Sequence, residues 1–371
     1  MGFSSVVRRT WRENRLFSAL VELTYRCNLD CFFCYNDLGL RGKPLSREQY
    51  FELFAGLREL GAFNLILSGG EPLAHPDFFA LGRRARDLGF VIRIKSNGHA
   101  LGRDTALRIK REVDPFVVEV SLHGATAATH DRQTRVRGSF DRLLANIGEA
   151  RRAGLRLQMN ATLTGWNEHE LEAMIALAKG LGIRMQIDPE VSLRDDGDRE
   201  PLSIRASRQA VQRLFRLQAD EAARAVGAGL EVAPEGDGLL PHEAPAPVSD
   251  EPASPSEKHC AAGSATVAVD PFGSVYPCVQ WRRPVGSLHE RGIEQIWLEA
   301  AGLDDVRRTT AAVKRRIREE GGAAAMMSFC PGAAEAQTGS PLELYPAAAA
   351  RKGVRAEALA QAGDCLLPIV D

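Results

Sequence analysis

From residue 18 to about residue 190, short apolar runs rich in β-branched residues alternate with polar turns and amphipathic stretches. The runs are 18-SALVELT-24, 64-NLILS-68, 91-VIRIK-95, 116-FVVEVSL-122, 156-RLQMNATL-163 and 183-IRMQI-187. Their length and the turn residues behind them mark strands, and the longer intervening segments read as helices. Two helix starts have capping-box form, Ser46 with Gln49 and Asn167 with Glu170. Strand then helix, six times over, predicts parallel strands and right-handed crossovers. The fold class is α/β: a partial (β/α)6 TIM-like barrel, followed by a small α+β domain.

The pattern changes beyond the barrel. Residues 1–17 form an N-terminal extension, 18–200 the barrel, 201–231 a connecting helix, 232–258 a Pro/Ala-rich linker or loop, and 259–371 the second domain and its tail. In that last segment 260-CAAGSATVAVDPFGSVYPC-278 predicts a hairpin turning at Asp270-Pro271-Phe272-Gly273, which brings Cys260 and Cys278 together.

In such barrels ligands gather where the loops after the strands converge. The cysteine-rich 24-TYRCNLDCFFCYND-37 follows the first strand, SGGEP the second, KSNG the third and SLHG the fourth, so all four share one mouth. A merely stable barrel does not require thiols, hydroxyls and glycines to recur there.

Charge and composition narrow the function classes. With 47 basic against 48 acidic residues there is no broad basic field for nucleic acid or an anionic membrane. Basic runs such as 82-GRRARDLGFVIRIK-95 lack interleaved aromatics and read as solvated helix faces. No apolar run has signal-peptide length or approaches the ~20 residues of a membrane span, so the expected location is cytoplasmic. Seven cysteines, an odd number unevenly spaced, argue for metal ligation or free thiols over a disulfide framework. Cys27, Cys31 and Cys34 can grip three corners of a cubane iron-sulfur cluster and leave its fourth iron open. Structural zinc takes four ligands, and no nearby Cys or His completes a set.

Cys27-x-x-x-Cys31-x-Phe33-Cys34, followed by Gly69-Gly70-Glu71-Pro72, closely resembles the radical S-adenosylmethionine enzymes. The resemblance implies a 4Fe-4S cluster whose open iron is chelated by the amino and carboxylate groups of S-adenosylmethionine. An electron then cleaves that cofactor, and a 5'-deoxyadenosyl radical abstracts hydrogen from a substrate C–H bond; the cofactor carries the hard step. It further implies that Phe33 packs near the adenine and that Gly69, Gly70 and Glu71 contact the methionine amino group. Ser96 and Ser121 would lie near the carboxylate or ribose, with Asn160 a further cofactor contact; each is also readable as a cap or turn group. His123 stands where many relatives carry an acid, facing substrate or hydrogen-bonding a loop.

The second cysteine group resembles the start of the SPASM or twitch type of auxiliary-cluster domain: Cys260, twelve residues, Gly273, four residues, Cys278. The likeness continues through 293-IEQIWLEA-300 and 329-FCPGAAEAQTGSP-341. Further cysteines of a complete domain are missing between Cys278 and Cys330 and from 341-PLELYPAAAA-350. The expectation is one auxiliary iron-sulfur cluster on Cys260, Cys278 and Cys330, its fourth ligand Cys365, His259 or an open position. Four protein ligands would suit electron transfer and three would suit substrate binding.

The overall likeness, including Glu22-Leu23-Thr24-Tyr25-Arg26-Cys27 and Thr338-Gly339-Ser340-Pro341, is to maturases of ribosomally made peptides of the pyrroloquinoline quinone and mycofactocin type. It implies oxidative cross-linking or rearrangement of a precursor peptide and an electron donor such as flavodoxin or ferredoxin. The 17 residues ahead of Ser18 are short for a peptide-recognition module, so a separate recognition protein or direct leader binding is expected. Two other readings stand beside this one: a radical dehydrogenase or maturase acting on a small molecule or on a protein such as a sulfatase, and a non-catalytic iron-sulfur redox protein.

Overall fold

The computed structural model describes residues 3–37, 39–227, 257–320 and 329–361. Six strands fall on the six predicted runs: β1 (Ser18–Thr24), β2 (Asn64–Gly69), β3 (Val91–Ser96), β4 (Val117–Ser121), β5 (Leu157–Thr162) and β6 (Arg184–Asp188). The C-terminal segment adds β7 (Thr266–Val269), β8 (Ser274–Tyr276) and β9 (Gly286–Ser287). All nine belong to one sheet, ordered β6-β5-β4-β3-β2-β1-β7-β8-β9. The pairs from β6 through to β7 are parallel, and the last two are antiparallel.

The helices are α1 (Phe3–Glu13), α2 (Arg47–Glu59), α3 (Phe78–Asp87), α4 (Arg103–Glu112), α5 (Ala127–Thr134), α6 (Ser139–Arg152), α7 (Leu171–Gly180), α8 (Arg208–Gly227), α9 (Ile293–Glu299), α10 (Ala301–Glu320), α11 (Pro331–Thr338) and α12 (Pro346–Gln361). Ser46 opens α2 with the predicted capping box, its hydroxyl accepting the Gln49 N–H. Asn167 and Glu170 do not form one. Asn167 instead ties the His123 and Thr162 carbonyls, while Glu170 accepts from Ala125, Thr126 and Thr129 at the start of α5. A carboxylate at that end complements both the free N–H groups and the helix dipole.

Strand alternation sorts the side chains. Val21, Leu23, Leu65, Leu67, Ile92, Ile94, Val118 and Val120 face outward and pack with Leu53, Phe54, Leu57, Leu81, Ile109 and Leu143 of the surrounding helices. The opposite set points into the barrel. Leu20, Ile66, Ala268 and Tyr276 make one apolar wall, joined by Val279. Across from it Arg93 pairs with Glu119 at 2.5 Å, and Asn160 and Gln158 extend that chain of hydrogen bonds to Gln186.

The C-terminal segment is more tightly joined to the barrel than a linker followed by a separate module suggests. β7 runs beside β1 from Ser18↔Thr266 to Val21↔Val269. α1 is pinned to the same region: Trp11 and Val7 pack on Ala261 and Ala265, and the Lys258 ammonium donates to the Trp11 carbonyl at 2.6 Å. At the other edge α8 covers Ala161 and Ile187 with Ala210 and Leu214, and Val354 of α12 packs on Val211 and Phe215 of α8. Residues 228–256, nearly all of the expected linker, and Cys365 lie outside the described residues.

Candidate active site

The loop leaving β1 carries Cys27, Cys31 and Cys34, all half-buried. It is held by backbone bonds from neighbouring loops: Gly70 N–H to Thr24 O at 2.7 Å, Glu71 N–H to Arg26 O at 2.9 Å and Phe32 N–H to Gln133 O at 3.1 Å. Asn36 adds a bond from its side chain to the Gly69 carbonyl at 3.1 Å. The two glycines follow from this packing. A Cβ on Gly69 would stand 2.3 Å from the Thr24 carbonyl oxygen, and one on Gly70 would stand 2.6 Å from that of Arg26. Gly69 also has φ +127°, a conformation few other residues adopt. They let two loops touch backbone to backbone.

Glu71 turns its carboxylate inward. It accepts the Ser96 hydroxyl at 2.9 Å, the Asn97 N–H at 2.8 Å and the Leu73 N–H at 3.2 Å. Burial pushes its pKa up to about 7, against the pull of those hydrogen bonds. Asn97 in turn reaches the cysteine loop, its amide nitrogen 2.8 Å from Asn28 Oδ1 and 3.7 Å from Cys27 Sγ. Burial raises all three thiols, Cys34 to about 11, and Cys31 also senses the other two.

Cys260, Cys278 and Cys330 form a second trio: the first two pack against Trp281 and Val306, and Cys330, which senses both of their thiols, packs beside Phe329. Cys330 caps α11, its sulfur accepting the Ala333 N–H at 3.4 Å. Burial lifts Cys260 to about 12 and Cys330 further, and Cys330 senses both partners. Among the described residues no three His, Cys, Asp or Glu side chains close around a single-ion position. Soft thiolates in threes suit an iron-sulfur cluster. The His259 imidazole lies beside this trio with Nε2 2.6 Å from the Phe329 carbonyl oxygen.

Residues 21–178 match the radical SAM superfamily, and residues 260–320 match an iron-sulfur cluster-binding domain, SPASM. The chain carries a radical SAM domain followed by a SPASM domain. Radical SAM chemistry uses a 4Fe-4S cluster and S-adenosylmethionine, and SPASM domains bind auxiliary iron-sulfur clusters. The PqqA peptide cyclase of Ruegeria pomeroyi is 29% identical over 299 residues, 78% of this chain and 76% of that protein. The mycofactocin maturase MftC of Mycobacterium ulcerans is 29% identical over 366 residues, 94% of this chain and 92% of that one. The solved structure of native anSMEcpe with bound AdoMet and Cp18Cys peptide shares the fold, with a TM-score of 0.66 at 14% identity over 94% of this chain and 98% of that one.

Within the radical SAM domain the remaining candidates divide. Phe33 meets the His123 ring edge-on at 4.6 Å, and Phe32 meets Trp166 at 4.6 Å, so the cysteine loop has an aromatic flank facing the loops after β4 and β5. Ser121 is half-buried at the end of β4. Ser96 and Asn160 are put to internal use: the Ser96 hydroxyl bridges Glu71 and the Gly98 N–H, and the Asn160 amide donates to Glu119 at 2.6 Å. His123 is buried, its Nδ1 3.5 Å from the backbone nitrogen of Thr162 at the end of β5.

The SPASM domain reaches the barrel interior through Arg282. That guanidinium binds both oxygens of Glu22 on β1, at 2.7 and 3.0 Å, and Asp195 at 3.0 Å, with Tyr35 and Tyr276 flanking it. A cavity of about 380 Å³ opens here between the domains, lined by Tyr35, Arg194, Asp195, Gln280, Trp281 and Glu335 among others. It joins the residue after Cys34 to the residues that follow Cys278 and Cys330. Asn97, Trp166 and Arg282 were not singled out by sequence reasoning. Only Asn97 carried a signal, as part of KSNG at the barrel mouth.

Proposed function

We propose that this protein oxidatively modifies a ribosomally made peptide, using S-adenosylmethionine at a cluster on Cys27, Cys31 and Cys34 and an auxiliary cluster on Cys260, Cys278 and Cys330. The observation that carries the reading is the cavity between the residue after Cys34 and the residues that follow Cys278 and Cys330. Its polar, charged lining, with Arg194, Asp195, Arg283 and Glu335, suits hydrogen bonding to a peptide. The names of the relatives, a peptide cyclase and a maturase, support the substrate class. A 4Fe-4S cluster held by Cys27, Cys31 and Cys34 would supply the electron for reductive cleavage of S-adenosylmethionine, and so the chemistry that takes hydrogen from the substrate. The protein's own residues orient and shield. Glu71 fixes the loops after β2 and β3 against the cysteine loop, leaving the Gly70–Glu71 backbone as the candidate contact for the methionine amino group. Phe33 and Ser121 are the candidate contacts for the adenine and for the ribose or carboxylate.

The register supports electron transfer as the auxiliary cluster's role. Cys278 follows β8 level with Thr266, which pairs with Ser18 at the start of β1, whereas Cys27 follows the end of β1. Those two ends are roughly 20 Å apart at the usual rise per strand residue. A side chain bound to the auxiliary site would sit too far from the adenosyl fragment to be the one attacked, so the site serves better as the acceptor of the electron left after hydrogen abstraction. The same reading calls for a cytoplasmic enzyme, a low-potential donor such as a flavodoxin or ferredoxin, and a separate peptide-recognition protein or direct leader binding.

The test is anaerobic reconstitution with iron and sulfide counting. The wild type should hold about eight irons, and a variant with Cys27, Cys31 and Cys34 changed to Ala about four. The reconstituted enzyme should then release 5'-deoxyadenosine and shift the mass of a precursor peptide encoded near its gene. Turnover of cofactor with a small molecule and none with any peptide would replace the peptide reading.

A further inference from the structure

The Asn97 side chain has one orientation only. Its Oδ1 accepts the His99 N–H at 3.0 Å, which fixes which end of the amide is nitrogen. The Nδ2 group has two hydrogens, one for Asn28 Oδ1 at 2.8 Å and one for Cys27 Sγ at 3.7 Å. The backbone behind it is equally fixed, since the Asn97 N–H is bound by Glu71, itself buried and bonded to Ser96. Cys27 therefore accepts the backbone N–H groups of Leu29, at 3.4 Å, and Asn28, and the side-chain N–H of Asn97. The last of these can be removed by substitution without altering the backbone.

A hydrogen bond to a ligating sulfur favours whichever oxidation state places more negative charge there. One-electron reduction adds that charge, so a fixed N–H donor raises the cluster's potential. We propose that Asn97 tunes the reduction potential of the cluster on Cys27, Cys31 and Cys34, bringing it within reach of an external one-electron donor of low potential. The inference rests on the reading above that this trio holds the cluster. Asn97 is a positioning and tuning residue here, acting through Cys27.

The experiment is a redox titration followed by electron paramagnetic resonance on the reconstituted full chain, wild type beside Asn97→Leu and Asn97→Asp. The relevant signal is the one whose spectrum changes when S-adenosylmethionine is added. At a fixed potential near the wild-type midpoint, Asn97→Leu should lower the ratio of reduced to oxidised cluster about tenfold, equivalent to about 59 mV for one electron. Asn97→Asp should lower it further, because a carboxylate opposes the added charge. Wild type carrying asparagine labelled with 15N at the side-chain amide alone, which leaves the backbone nitrogens of Asn28 and Asn36 beside Cys27 and Cys34 unlabelled, should also show nitrogen coupling to the reduced cluster, and this measurement decides the matter if the variants assemble poorly. Unchanged midpoints in variants with full iron and sulfide content, or no 15N coupling in the wild type, overturn the proposal. A chain with no signal that responds to S-adenosylmethionine overturns the reading beneath it, and the inference falls with it.

Discussion

At the scale of single residues, the mouth of the barrel is governed by close approach and by buried hydrogen bonds. Gly70→Ala would drive a Cβ into the Arg26 carbonyl at 2.6 Å, so the cysteine loop must shift. The expected outcome is a large loss of iron after reconstitution. Gly154→Ala is the control: its φ is +77° but nothing lies within 4 Å, so it should cost only about 1 kcal/mol in thermal stability and no iron. Glu71→Ala removes one acceptor from three donors. It should leave iron content intact while weakening S-adenosylmethionine binding by about tenfold, the lower range for outer-shell partners, as measured by equilibrium binding. The cysteines and the GGEP stretch could be read from the sequence because their spacing is local. The use of Ser96 and Asn160 could not, because an exposed hydroxyl or amide and one spent on a buried carboxylate look alike until the tertiary partner is known.

At the scale of elements, the loop between β4 and α5 buries two imidazoles. His123 and His130 stack at 6.0 Å, and His130 Nδ1 accepts the His123 N–H at 3.1 Å. Burial pushes His123 down to about 3 and His130 to about 4, although Asp131 pulls the latter back up. A depressed folded pKa means that the unfolded chain binds protons first. The stability these groups contribute is complete above the ordinary value of 6.5 and is lost as pH falls toward 4 and then 3, at about 1.4 kcal/mol per pH unit for each proton. Calorimetry across that range should show it. His130→Asn keeps an acceptor near the Nδ1 position without titrating, and should reduce the pH slope by about one proton. The six barrel strands and the β7–β8 hairpin were legible because period-two runs and turn residues are local signals. The pairing of β7 with β1 was not, since a parallel contact between distant segments leaves no mark in either one.

For the whole molecule, Arg282 joins the two domains through buried charge. Arg282→Met would leave Glu22, fully buried, and Asp195 without their cation. A loss of about 3–5 kcal/mol is expected from denaturant midpoints at pH 8. Burial already raises Asp195 to about 7 in the presence of that arginine, so without it this carboxylate holds its proton to still higher pH. The penalty should therefore shrink as the buffer is taken from pH 8 to pH 5. If the loss is instead independent of pH, Arg282 acts through packing and not through charge.

β1 is hydrogen-bonded on both sides, to β2 and to β7. Its second partner begins at Thr266, 242 residues beyond Thr24 where β1 ends. On a ribosome adding 5–20 residues each second, the nascent barrel waits roughly 10–50 s with an apolar strand edge uncovered. Such an edge is a template for pairing with another chain. A fragment ending at Gly227 would keep that edge permanently open and should aggregate where the full chain does not.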